Sequence, residues 1–232
     1  MNKGCRKFAW LLWPVLFAAA AVATLNIDLS VAQALRKWKL SWPEYRAYIG
    51  YLDMFEPFGH GLGVLLVVLM IHQLDRRRRR ALLRLVVCAF AAGGAANLLK
   101  LCLMRVRPHS LDLDVAGSAC ATFGRWFPLL GAGSEGQSFP SGHTATAAAL
   151  AATLIFFYPQ GRLLFIGLAG LVACQRVFSG AHYPSDVLAG AAIGTLLAPL
   201  FLRVGVLPKW FDHWEQPSGL PPITTSISAR SE

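Results

Sequence analysis

Three groups of residues in this chain have the types and spacing to hold and cleave a phosphoryl group. The first is Lys100 with Arg107, followed by Pro108. Seven residues apart, the two cations fall on one stripe of a helix about two turns long, provided that helix runs to Pro108. The second is Phe139-Pro140-Ser141-Gly142-His143-Thr144, which leads into an alanine-rich apolar run. Ser141 reads as a helix N-cap and Gly142 lets a ligand approach backbone N–H groups. His143 sits in the first turn, where free N–H donors and the positive end of the helix dipole favour an anion. The third is Arg176, His182 and Asp186. A carboxylate four residues after a histidine can accept a hydrogen bond from the ring, which sets the tautomer and leaves the other nitrogen free.

Each group alone also has a plain structural reading: snorkelling cations, an ordinary helix cap, an interfacial ion pair. Together they meet a more specific demand. A transferring phosphoryl group spreads negative charge over three equatorial oxygens, so cations and N–H donors must surround it while attacking and leaving atoms stay in line. Lys100, Arg107, Arg176 and the Ser141-Gly142 backbone supply those donors. The two histidines divide the remaining work. His182, with a carboxylate partner, suits attack on phosphorus, and His143, with no obvious carboxylate beside it, suits protonation of the departing alkoxide.

These residues must be held by membrane elements. Of 232 residues 55% are hydrophobic and only 15% charged, too apolar a balance for a soluble domain of this size. Six apolar stretches are long enough to be read as spans: Phe8 to Leu25, Phe58 to Leu74, Ala81 to Met104, Thr144 to Tyr158, Leu163 to Phe178 and Val187 to Leu202. The first is read as a retained anchor, although Ala21-Val22-Ala23 resembles a signal-cleavage site. The net charge of +10 is not a nucleic-acid signal, because five of the 22 Lys and Arg residues form the run Arg76 to Arg80 between two apolar segments. That is a topology signal. With six spans, Lys3, Arg6, Lys7, the Arg run, Arg84, Arg162, Arg203 and Lys209 share one side, which the positive-inside rule makes cytoplasmic. All three chemical groups then lie on the opposite face. Arg36, Lys37, Lys39, Arg46, Arg105, Arg107, Arg125 and Arg176 share that face, break the rule and call for another explanation.

The chain divides into residues 1–57, a span followed by an interfacial aromatic and basic segment able to cover the site; residues 58–204, a catalytic membrane domain; and residues 205–232, a mobile cytoplasmic tail. Five cysteines at positions 5, 88, 102, 120 and 174 have neither paired nor metal-like spacing. His109, Asp112, Asp114 and Glu135 lie between the first two groups, but their spacing assigns them no role.

In order and spacing, Lys100-x6-Arg107-Pro108, Pro140-Ser141-Gly142-His143 and Arg176-x5-His182-x3-Asp186 resemble the three-part signature of the type 2 phosphatidic acid phosphatase family. The resemblance covers roughly residues 58–202. It implies an all-α fold, a six-span transmembrane helical bundle of the kind shared with vanadium haloperoxidases, and a phosphatase that uses no metal or other cofactor. It also implies His182 as nucleophile, Asp186 as its orienter, His143 as general acid, and Lys100, Arg107, Ser141, Gly142 and Arg176 as the phosphate cradle. Gln175 stands where the family usually has serine, which implies altered phosphate affinity. The expected substrate is a lipid phosphate or diphosphate in a bacterial inner membrane, met on the periplasmic face. A lipid phosphotransferase using the same phosphohistidine and a non-catalytic lipid-binding or transport protein are the readings from other classes. Neither the lipid nor the oligomeric state is legible in the residues.

Overall fold

The computed structural model describes residues 9–113 and 116–215 and is mostly helical. Helix α1 (Leu12–Thr24) runs through one tight turn into α2 (Asp28–Ser41), so that Leu12–Ser41 forms one continuous 30-residue helix. Helix α3 (Tyr45–Asp53) and a 3-10 turn at Glu56–Gly59 follow. Then come α4 (Gly61–Leu74), α5 (Leu82–Cys102), α6 (Gly142–Phe157), α7 (Arg162–Phe178), α8 (Pro184–Leu202) and a short α9 (Leu207–Glu215). Helices occupy all six apolar stretches. Four are long and apolar enough to cross a bilayer: Leu12–Ser41, Arg76–Cys102, Pro159–Phe178 and Pro184–Leu202. Gly61–Leu74 and Gly142–Phe157 are apolar but, at 14 and 16 residues, shorter than the roughly 20 that a span needs.

Helix α6 is the centre of the bundle, packed by α5, α7 and α8, while α1 lies against α8. It is apolar on all sides, and nearly all of its side chains are buried, as expected of a helix with no solvent face. Small residues set the spacing. A Cβ at Gly93 of α5 would collide with Thr146, and Cβ atoms at Gly190 and Gly194 of α8 would strike the backbone carbonyls of Ser141 and Ala145. Close helix approach of this kind is how apolar helices associate where water does not drive them together. Replacing Gly190 with alanine is therefore expected to push α8 off the start of α6 at a cost of about 1–3 kcal/mol. Thermal unfolding in detergent would read this as a lowered midpoint.

The fold is mostly helical, as expected, with one small antiparallel pair, β1 (Leu103–Arg105) and β2 (Phe123–Trp126), Leu103 opposite Trp126 and Arg105 opposite Phe123. The segment after residue 26 is helix from Asp28 to Ser41, continuing the first span. One expectation is corrected: residues 207–215 of the tail form α9, packed on the bundle. Arg84 is fully buried and holds α9 through Asp212 at 2.6 Å and Glu215 at 2.8 Å, a pairing that offsets the cost of its burial. Residues 216–232, the start of the first span and Lys3, Arg6 and Lys7 lie outside the described residues, as does Asp114.

Candidate active site

The ends of α5, α6, α7 and α8 that carry the three groups meet at one end of the bundle. Local sequence explains much of this end. In Tyr183-Pro184-Ser185-Asp186, Pro184 takes the first helical position of α8, and Asp186, two residues on, reaches back to the Tyr183 N–H at 2.9 Å. A proline start and a carboxylate at the third position are the pieces of an N-terminal capping box. Ser141 caps α6, its Oγ accepting from the Thr144 N–H at 3.4 Å and from the Thr144 hydroxyl at 3.0 Å. Its own N–H donates to the Asp186 carbonyl at 3.0 Å, which ties the second group to the third and removes that N–H from any anion. With the Thr144 N–H on Ser141 Oγ and the Ala145 N–H on the Ser141 carbonyl, the donors left at this start of α6 are the N–H groups of Gly142 and His143.

His182 lies on the turn between α7 and α8, where Gly180 takes the left-handed φ of +75° that the tight reversal requires. Its side chain is 2% exposed, and Nδ1 faces Asp186 Oδ2 at 3.6 Å. That is a charge contact too long for a hydrogen bond, and Nδ1 has no other partner. Burial pushes the ring down to about 4, against the opposite pull of Asp186. At neutral pH the imidazole is therefore neutral and keeps the lone pair that attack requires.

Asp186 is fixed by much more than His182. It accepts from Arg105 at one oxygen and from the Ser138 hydroxyl, at 2.6 Å, at the other. Arg105 is fully buried and also donates to Asp28 at 2.6 Å, Ser185 at 2.7 Å and Thr122 at 3.0 Å, with its guanidinium between the rings of Phe123 and Tyr183. Asp28, at the start of α2, accepts from the Ser185 N–H at 3.0 Å. This buried Asp28-Arg105-Asp186 chain was not legible among the motif residues. Its one sequence signal is that Arg105 violates the positive-inside rule: a cation held inside the fold says nothing about topology.

The stripe predicted for Lys100 and Arg107 is absent. Helix α5 ends at Cys102, and the chain turns extended, the Arg105 N–H bonding Gly136 and its carbonyl accepting from Ser138. The residue before a proline avoids the helical region, so Arg107 before Pro108 does not continue the helix. Extended backbone still brings the cations together, since Lys100, Arg107, Arg176 and Asp186 lie near enough to act on one another's charge. Within this cluster the Nε groups of Arg107 and Arg176 are buried without a partner. Buried N–H donors are almost always paired.

Three further expectations change. His143 does have a carboxylate beside it, with Glu56 Oε1 at 3.5 Å from its Nε2 and also bonded to Arg176. Gly142 directs its missing side chain at Asn97 of α5, where a Cβ would come within 3.0 Å of Oδ1, so its smallness serves helix packing. Gln175 donates to Asp53 of α3 at 2.7 Å, and its amide joins two helices where a phosphate contact was expected. Arg36 and Lys39 of α2, Tyr45 and His109 line a cavity of about 450 Å³ that reaches His182.

Over 129 residues the chain is 41% identical to the lipid A 1-phosphatase of Rhizobium johnstonii, a match over 53% of this chain and 49% of that protein. Over 146 residues it is 30% identical to the decaprenylphosphoryl-5-phosphoribose phosphatase of Mycobacterium tuberculosis, covering 63% and 73% respectively. The chain spans about half the length of the lipid A 1-phosphatases it matches. Its fold is that of the PAP2 type phosphatidylglycerolphosphate phosphatase of Bacillus subtilis, with a TM-score of 0.53 at 22% identity over 83% of this chain and 92% of that one. It is likewise that of Aquifex aeolicus LpxE, with a TM-score of 0.55 at 20% identity over 77% and 96%. The model of the PAP2 superfamily matches residues 81–208, which hold all three groups, and the chain belongs to that superfamily.

Proposed function

We propose that this protein is an integral-membrane phosphatase that hydrolyses a lipid phosphate or diphosphate through a phosphohistidine at His182, without a metal. The observation that carries this reading is the pair of buried, unpartnered Nε donors on Arg107 and Arg176 beside Lys100 and a neutral, buried His182. A phosphoryl oxygen is the acceptor those donors lack. His182 attacks phosphorus, the bond to the lipid oxygen breaks, and that oxygen takes a proton from His143. Water then attacks phosphorus, gives its proton to the now neutral His143, and inorganic phosphate leaves. Asp186 holds the His182 ring, while Lys100, Arg107, Arg176 and the N–H groups of Gly142 and His143 take the equatorial oxygens. Ser141 acts by capping that helix start.

A six-span reading, which counts the short helices α4 and α6, would have this site on the non-cytoplasmic face, and the Arg run at the opposite end of α4 and α5 supports it. Relatives named for lipid A, polyprenyl phosphoribose and undecaprenyl diphosphate support a lipid-linked phosphate as substrate.

The test is inorganic phosphate release by the detergent-purified chain from phosphatidic acid, phosphatidylglycerol phosphate, undecaprenyl diphosphate and lipid A, with chelator present. Release from one or more is expected, with kcat/KM sustained on the acid side until the pH approaches about 4, where His182 takes a proton. Chelator-sensitive release would overturn the histidine mechanism. Phosphate passed to an acceptor lipid with little set free would favour the transferase.

A further inference from the structure

Glu56 lies outside residues 81–208 and outside all three motifs, yet it sits on two groups of the proposed site. Its Oε1 is bonded to Arg176 and lies 3.5 Å from His143 Nε2. The turn that carries it is built for that position. Pro57 starts the 3-10 turn Glu56–Gly59, Gly59 packs so closely on the His143 carbonyl that a Cβ would come within 2.6 Å, and a Cβ at Gly63 would strike the Pro57 carbonyl. The next residue, His60, stacks its ring on that of His143 at 5.7 Å. Gly59 and the ring stack therefore press this turn against the start of α6, and Gly63 packs it on α4.

The charges around His143 give the placement its consequence. Burial pushes the His143 ring down to about 3, and Arg176 of α7, His182 of the α7–α8 turn, His60 at the start of α4 and Lys100 of α5 push it the same way. Each of those is a cation or becomes one on protonation. An acid must carry its proton before it can give it to the lipid oxygen, and like charges oppose that state while a carboxylate favours it. Glu56 is the carboxylate in contact. His143 and Glu56 are also the open pair, their side chains 31% and 32% exposed, whereas His182 is 2% exposed. The leaving lipid oxygen has its room on the His143 side.

We propose that Glu56 is a positioning residue for the reaction: its carboxylate, anchored on Arg176, is the counter-charge in contact with His143 and favours the proton that burial and the surrounding cations drive off that ring. This rests on the phosphohistidine reading above. In that role Glu56 touches neither phosphorus nor the lipid, and it acts only through His143. It lets the ring take up the proton that it must give to a poor leaving group.

The test compares wild type, Glu56→Gln and Glu56→Asp across pH on two substrates, the lipid phosphate identified for the wild type and para-nitrophenyl phosphate, whose leaving group needs little protonation. In Glu56→Gln the alkaline limb of kcat/KM on the lipid is expected to move down by about one pH unit or more. At pH 8 turnover of the lipid falls about tenfold or more, while para-nitrophenyl phosphate loses no more than about threefold. Glu56→Asp, keeping the charge, restores much of the limb. Equal losses on both substrates, or an unmoved alkaline limb, would overturn the role of Glu56 while leaving the phosphatase reading intact. Absence of phosphate release by the wild type from any lipid is the separate result that removes the reading itself.

Discussion

His182→Ala is expected to lower phosphate release from the lipid on the order of 10⁴-fold or more, to the background of the detergent preparation. The size follows from chemistry that no neighbour can replace. Removing a nucleophile that forms the covalent intermediate abolishes both half-reactions, whereas removing a cation from the cradle only weakens charge stabilisation. The turn that carries His182 is held by backbone, its N–H donating to the Arg176 carbonyl at 3.1 Å, so loss of the ring leaves the helices in place. The checking measurement has two parts. Labelled phosphate is trapped on wild type by an alkaline quench, since a phosphorus–nitrogen bond survives base and breaks in acid, and the label must be missing from His182→Ala. A variant that still releases phosphate at more than about a hundredth of the wild-type rate would move the nucleophile elsewhere.

The second large effect belongs to Arg105. Its guanidinium is the cation between two buried carboxylates, Asp28 and Asp186, and all three side chains are fully buried. Arg105→Leu leaves both carboxylates buried without it, a loss of about 3–5 kcal/mol for a broken buried pair. The expected result is a sharply lowered thermal midpoint and little folded protein. Because such a variant can fail before activity is measured, Ser138→Ala gives the milder test. It removes one hydrogen bond to Asp186 at 2.6 Å, worth about 1 kcal/mol. The protein should stay folded, with kcat reduced several-fold and KM little changed, since Asp186 then holds the His182 ring less firmly. Wild-type stability in Arg105→Leu, or wild-type kcat in Ser138→Ala, would mean the network does not support the nucleophile.

This chain also accounts for a link between the first helix and the site. Asp28 opens α2, directly beyond the apolar run of α1, and it grips both Arg105 and the Ser185 N–H. The N-terminal helix thereby carries a fixed charge to the start of α8. The same arrangement accounts for three of the eight basic residues on the expected outer face. Arg105, Arg107 and Arg176 are spent on carboxylates or point inward, and such cations carry no topological information.

What the sequence determined by itself is whatever lies within a few turns of chain. The apolar runs declared the helices, because a bilayer-length run of apolar side chains has few other stable fates. Tyr183-Pro184-Ser185-Asp186 declared the start of α8, and Ser141 the start of α6, because capping is settled by residues three or four apart. The family was legible for the same reason: its three motifs are short, and their order survives reading along a line. Tertiary structure alone decided the partners. Glu56 meets Arg176 across 120 residues, and Arg105 meets Asp28 across 77 and Asp186 across 81. An ion pair between such distant positions leaves no periodicity at either end. The Lys100–Arg107 stripe failed on the same ground: pairing of the Arg105 backbone with Gly136 and Ser138 took that stretch out of the helix. Hydrogen bonds to a loop thirty residues away outweighed the local helical preference.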